Sequence, residues 1–169
     1  MHMPASENVS MAPSTPIPTI FAAGLLCGAM DITAAFMTWV PQGVPASVIL
    51  KGIASGWLGI QAFHGGFATA ALGLGLHFLI AIIAAAVFYA ASRKLRWLVL
   101  RPYLSGVLYG VAVYLVMYWI VLPLSRYHRG SFSVVRAVVA ILTHIVCVGL
   151  PIALVVHRNS ANRLAGAFS

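Results

Sequence analysis

Four long apolar stretches, separated by short segments rich in Pro, Gly, Arg and Lys, set the pattern of this chain. They lie near residues 17–40, 65–91, 102–125 and 133–157. Each is long enough to cross a bilayer, because about 20 apolar residues in a helix cover the hydrocarbon core. The first stops at Pro41-Gln42-Gly43 and the second at Ser92-Arg93-Lys94. The third opens on Pro102, whose fixed φ and missing N–H suit the first turn of a helix.

Residues 45–63, PASVILKGIASGWLGIQAF, are shorter and richer in Gly than the four runs. Lys51, Ser55 and Gly59 recur at helical spacing opposite Val48, Ile49, Ile53, Trp57 and Ile60. That pattern predicts an amphipathic helix in the interface with Trp57 at headgroup depth, a re-entrant segment being the competing geometry. The predicted fold is all-α: a polytopic membrane protein of four transmembrane helices, with a short interfacial or re-entrant amphipathic helix between the first and second. Residues 1–16 are polar and Pro/Ser-rich and are expected to be disordered, residues 17–157 to form one transmembrane domain, and residues 158–169 a short C-terminal tail.

Composition strengthens this reading. Only 7% of the 169 residues are charged and 62% are hydrophobic, with a mean hydropathy of +0.99. A soluble domain carries about 25% charged residues, so this chain lacks the polar surface that water requires. The net charge of +8 does not point to nucleic acid, because the basic residues lie between apolar runs, where membrane topology places them. Arg93, Lys94, Arg96 and Arg101, with Arg158 and Arg163 in the tail, outnumber Lys51, Arg126, Arg129 and Arg136 on the opposite side. The excess predicts a multi-pass protein with both termini in the cytoplasm. The lipid bilayer is the expected partner. Four helices enclose little volume, so a pore would require homo-oligomerisation.

Lipid tails are as apolar as leucine, so helices associate in membranes through small residues that let backbones approach. Each span carries such a stripe at steps of three and four residues, which stay on one helix face. The stripes read Gly24, Gly28, Asp31, Ala35; Gly66, Ala70, Gly73, His77, Ala81, Ala84; Gly106, Gly110, Tyr114, Met117; and Ala137, Ala140, His144, Cys147, Pro151. Asp31, His77 and His144 thus fall on the inward faces of three helices. At 1.5 Å per residue they lie ~14, ~18 and ~16 Å from the same membrane surface, and Tyr114 lies ~16 Å deep. Ionisable groups at that depth are costly and usually face a protein interior or a watered cavity.

Histidine titrates near neutrality and a carboxylate supplies a counter-charge, so Asp31, His77 and His144 have the minimum chemistry of a proton- or cation-linked site. The bland alternative is that these groups satisfy one another and lock helix register. Two histidines and an aspartate also resemble a two-His-one-carboxylate metal set, with Cys27, Cys147, Met30 and Met117 nearby for softer ions. His77 and His144 further resemble an axial pair for b-type haem. No local ligand spacing accompanies either reading, so no cofactor is expected. Cys27 and Cys147, inside apolar runs, read as free, small hydrophobes. His64, His128, His2 and His157 fall at interfaces, loops or ends and suggest no role. Pro151 is expected to bend the last helix. Walker, HExxH, CxxC and GxSxG motifs are absent, so an enzyme is not expected.

The run GLHFLIAIIAAAVFYAAS, a basic loop, then LSGVLYGVAVYLVMYWIVLPLS and THIVCVGLPIALVVHR resemble the YagU-like family of small bacterial inner-membrane proteins. The resemblance covers roughly the last two-thirds of the chain, through His77, Gly106, Gly110, Pro123-Leu124 and His144, while residues 45–63 depart from it. It implies a bacterial inner-membrane location and a four-helix layout, and it brings no activity with it.

Overall fold

A computed structural model describes residues 16–127 and 132–165. Among these, helices and their connections form the whole fold, with no strand. Helix α1 (Ile17–Trp39) runs through a 3-10 turn, Val40–Gln42, into Gly43 at φ 85°, a left-handed conformation that glycine adopts without a Cβ penalty. Helix α2 (Ala46–Leu58) continues as a 3-10 segment, Gly59–His64, and α3 (Phe67–Lys94) follows. A single turn, α4 (Trp97–Leu100), leads to α5 (Pro102–Val116), which has the expected proline in its first turn. The chain then passes through a π segment, Met117–Val121, into α6 (Leu122–Leu124). Helix α7 (Val134–Thr143) starts at Ser133, whose hydroxyl accepts from the Arg136 amide at its N-terminus. It continues through a second π segment, His144–Gly149, into α8 (Leu150–Ala165). Residues 158–165, expected in a tail, are therefore helical, with the Ser160 hydroxyl donating to the Val156 carbonyl. Of the tail expected at residues 1–16, only Pro16 lies among the described residues, and His2 and His128 lie outside them.

Five of these stretches are long and apolar enough to cross a membrane: Ile17–Gln42, Ala46–His64, Phe67–Lys94, Pro102–Leu124 and Val134–Ser160. The second is the shortest, at 19 residues, and the least apolar, with a hydropathy of 1.2 against 1.8 to 2.6 for the others. Leu25, Leu79, Ile83, Leu108 and Leu142 are exposed on the helix surfaces, an outer face suited to lipid and not to water.

The helix directions follow from the glycine contacts. A Cβ on Gly24 would fall 2.7 Å from the Ile82 Cα, and one on Gly28 would fall 2.8 Å from the Phe78 ring. Moving forward along α1 therefore means moving backward along α3. Likewise Gly106 abuts Leu150, while Gly110 abuts Ile145, so α5 is antiparallel to the last helix. The C-terminus of α1 and the N-terminus of α3 share one end of the bundle, and α2, which joins them, starts and finishes there.

Helix α2 is firmly packed. A Cβ on Gly73 of α3 would collide with the Leu50 carbonyl, and the Arg126 amide beyond α6 donates to the Gly56 carbonyl at 3.0 Å. Its faces differ from the amphipathic expectation. Ser55, expected on an outward polar face, is 2% exposed and donates to the Gly52 carbonyl, whereas Trp57 is 71% and Ile60 63% exposed. Side-chain size explains the difference: Ala54 and Ser55 permit close approach to α3, and the bulky apolar groups turn outward.

Both π segments end two residues before a proline. The Leu122 amide bonds the Met117 carbonyl and the Leu150 amide bonds the Ile145 carbonyl, each five residues back, and Pro123 and Pro151 follow. A proline ring clashes with the carbonyl four residues earlier, and the wider turn moves that carbonyl aside. The second π segment also shifts the contact face of the last helix. Ile145, Gly149 and Leu150 meet α5, in place of the expected stripe through Cys147.

The largest fully buried side chains, Phe88, Ile152 and Val156, cluster toward the end opposite α2. At the α2 end, α7 buries no residue. The bundle is tight at one end and hollow toward the other.

Candidate functional site

The hollow begins where α1 and α3 are stitched together. His77 of α3 donates from Nε2 to the Gly28 carbonyl of α1 at 2.9 Å. The carbonyl can only accept, so that ring nitrogen carries a proton. Gly28 has no Cβ because the Phe78 ring and Ala81 occupy that space. Across the cavity, His144 opens the second π segment and donates from Nδ1 to the carbonyl of Ala140, one turn back in its own helix. Its ring meets the Tyr114 ring edge-on, with centroids 5.8 Å apart, and Tyr114 is 8% exposed.

Asp31, His77, Tyr114 and His144 all line one cavity of about 400 Å³. The residues expected in a common layer are thus brought to a common space. They do not bond one another: both histidines spend a ring nitrogen on a backbone carbonyl, so the mutual Asp–His locking offered as the bland alternative is not the arrangement present. The other ring nitrogens, Nδ1 of His77 and Nε2 of His144, remain for a proton or a ligand. Ile49 and Ile53 of α2 form part of the wall, with Ile80, Val113 and Val148, so the polar groups sit among apolar walls. Cys27 is fully buried beside them, its thiol 3.3 Å from the Gly24 carbonyl.

Two further hollows adjoin this cavity on either side of α7. A groove of about 460 Å³ between α1 and α7 carries Asp31, Thr38, Gln42, Arg136, Thr143 and His144. Asp31 and His144 belong to the groove and the cavity alike, which gives the polar layer a route toward the α2 end. On the other side, Trp39, Tyr114, Tyr118, Tyr127, Phe132 and Arg136 line a hollow of about 420 Å³. Tyr118 stacks on Tyr114 at 5.8 Å and meets Phe132 edge-on.

Among the described residues, no three His, Cys, Asp or Glu side chains are grouped so as to hold a metal ion. Sharing a cavity is a looser relation than coordination, so the two-His-one-carboxylate set is not assembled as a metal centre. A haem pair is disfavoured too, since His77 has given Nε2 to Gly28.

All five glycines expected to mediate packing do so: Gly24 and Gly28 against α3, Gly73 against α2, and Gly106 and Gly110 against the last helix. Gly149 was missed, because a uniform 3.6-residue period places it off the contact face. Tyr118 was missed as well, although it lies one turn beyond Tyr114. His157, expected to be a bystander, donates from Nδ1 to the Val99 carbonyl at 2.7 Å and ties α8 to α4. Tyr109 makes a similar tie to the Ala84 carbonyl at 2.6 Å.

Comparison with family models, curated proteins and solved structures gives no match to this chain.

Proposed function

We propose that this chain is an integral protein of the bacterial inner membrane whose Asp31/His77/His144/Tyr114 cavity responds to protons or cations, acting by binding and not by catalysis. The observation that carries the reading is the shared cavity: one carboxylate and two imidazoles line an apolar-walled hollow that a polar-lined groove reaches. Ionisable groups so placed mark ion and proton paths, and histidine charges within the physiological range.

In this reading α1, α3, α5–α6 and α7–α8 cross the bilayer, and α2 is an interfacial or re-entrant cover at the periplasmic end. The antiparallel pairing of α1 with α3 supports it, because α2 then leaves and re-enters at one end of the bundle. Arg93 and Lys94 in the last turn of α3, and Arg96 and Arg101 between it and α5, are all exposed and favour a cytoplasmic face for the opposite end, and with it both termini. The resemblance to the YagU-like family belongs to the same proposal.

The test is the thermal unfolding midpoint of the purified protein in detergent, measured from pH 5 to 8. The midpoint is expected to move across the histidine range, and the movement to shrink in Asp31→Asn, His77→Phe and His144→Phe. A flat profile in the wild type, unchanged in all three variants, would leave a structural or partner-binding subunit as the better reading.

A further inference from the structure

The cavity also has the chemistry of a receptor for one kind of molecule. Its volume, about 400 Å³, lies within the roughly 300–1,000 Å³ of small-molecule pockets. Ile32, Ile49, Ile53 and Val113 give it apolar walls, and Asp31 is the one carboxylate among the described residues that line it. Trp39, Tyr114 and Tyr118 line it too, and the tyrosine rings stack with an interplanar angle of 18°. No described side chain donates a hydrogen bond to Asp31; the ring nitrogens that His77 and His144 donate from are on backbone carbonyls. An uncommitted carboxylate beside aromatic rings in an apolar chamber suits an organic cation. The carboxylate answers the charge, and the ring faces attract a poorly hydrated ammonium more strongly once water is excluded. A Ca2+ or Mg2+ ion would find too few oxygen ligands here, since those ions take six or more.

The groove between α1 and α7 provides the path. It joins the cavity at Asp31 and His144 and leads past Thr38 toward Gln42 and Arg136 at the α2 end. Helix α7 buries no residue, so the groove has one loosely held side. Arg136 lines the outer stretch, eight residues or ~12 Å along the helix from His144.

We propose that the Asp31 cavity binds a lipophilic organic cation of the quaternary ammonium class, held between the Asp31 carboxylate and the Tyr114/Tyr118/Trp39 rings. The inference rests on the cation-responsive reading and names its ligand class. It is tested by equilibrium dialysis of radiolabelled benzyltrimethylammonium against the full chain in detergent. Competition is then measured with unlabelled benzyltrimethylammonium and with neopentylbenzene, which has the same shape and no charge.

Saturable binding is expected, with the neutral isostere competing at least tenfold less well. Asp31→Asn should weaken binding about tenfold or more, and Tyr114→Leu about threefold. Absence of saturable binding to the wild type, or equal competition by neopentylbenzene, overturns the proposal without recourse to any variant. The two readings fail separately. If the cation does not bind while the pH-dependent midpoint and its Asp31 dependence persist, only the organic-cation inference falls.

Discussion

Gly110 and Gly149 meet backbone to backbone: a Cβ on Gly149 would lie 2.5 Å from the Gly110 amide nitrogen and 2.8 Å from its Cα. The same approach brings the His144 carbonyl within 2.7 Å of where a Gly110 Cβ would stand. The glycine contact therefore holds the second π segment against α5, and with it the His144 ring against Tyr114. Packing and site are one construction at this point.

Gly110→Val should accordingly lower stability by about 1–3 kcal/mol or more, the range for overpacking, because backbone and not a flexible side chain stands in the way. Gly52→Ala provides the contrast. Nothing lies within 4 Å of its missing Cβ and its φ is ordinary, so a gain of about 0.4–1 kcal/mol from reduced unfolded-state freedom is expected. Unfolding titrations in mixed micelles would give both values.

His77→Phe keeps the ring and removes the donor to Gly28. Inter-helix hydrogen bonds in membranes average about 0.6 kcal/mol and reach about 1.7, so the loss should fall in that interval. A much larger loss would mean that His77 does more than pin α3 to α1. Tyr109→Phe, which releases the Ala84 carbonyl, should cost a similar amount.

Gly73→Val should push α2 off α3, since the Leu50 carbonyl occupies the added volume. Ile49 and Ile53 would then no longer close the cavity, and Cys27 would become reachable. In a Cys147→Ser background, a water-soluble maleimide should label Cys27 several-fold faster in Gly73→Val than in the parent. Equal rates would show that α2 does not cover the cavity.

Reporter fusions after Arg96 and after Arg163 should both read as cytoplasmic, and one inserted after Tyr127 as periplasmic. If α2 instead crosses the membrane fully, the two sides of α2 will disagree with this pattern, and a reporter at Gly43 will not match one at Gly65.

Much of the bundle was legible because lipid imposes simple demands. Length and apolarity located the long helices, and small residues at three- and four-residue steps located Gly24, Gly28, Gly73, Gly106 and Gly110. The same steps brought Asp31, His77, His144 and Tyr114 to one cavity. What escaped the pattern has physical causes. Periodicity assumes a constant turn, and the π segment before Pro151 breaks that assumption, exchanging Cys147 for Gly149 on the contact face. Polarity misassigned the faces of α2, because Ser55 is small before it is polar. The ties from His157 and Tyr109 end on backbone, which no side-chain motif announces.

Those ties carry a consequence of their own. His77, Tyr109 and His157 each reach a neighbouring element through a peptide carbonyl, at Gly28, Ala84 and Val99. An acceptor of that kind is present whatever amino acid occupies the position, so the receiving side is free to drift as long as the space stays open. In a mutational scan, the donors should tolerate few replacements and the acceptors any that fit. Paired substitution at both ends should bring no rescue.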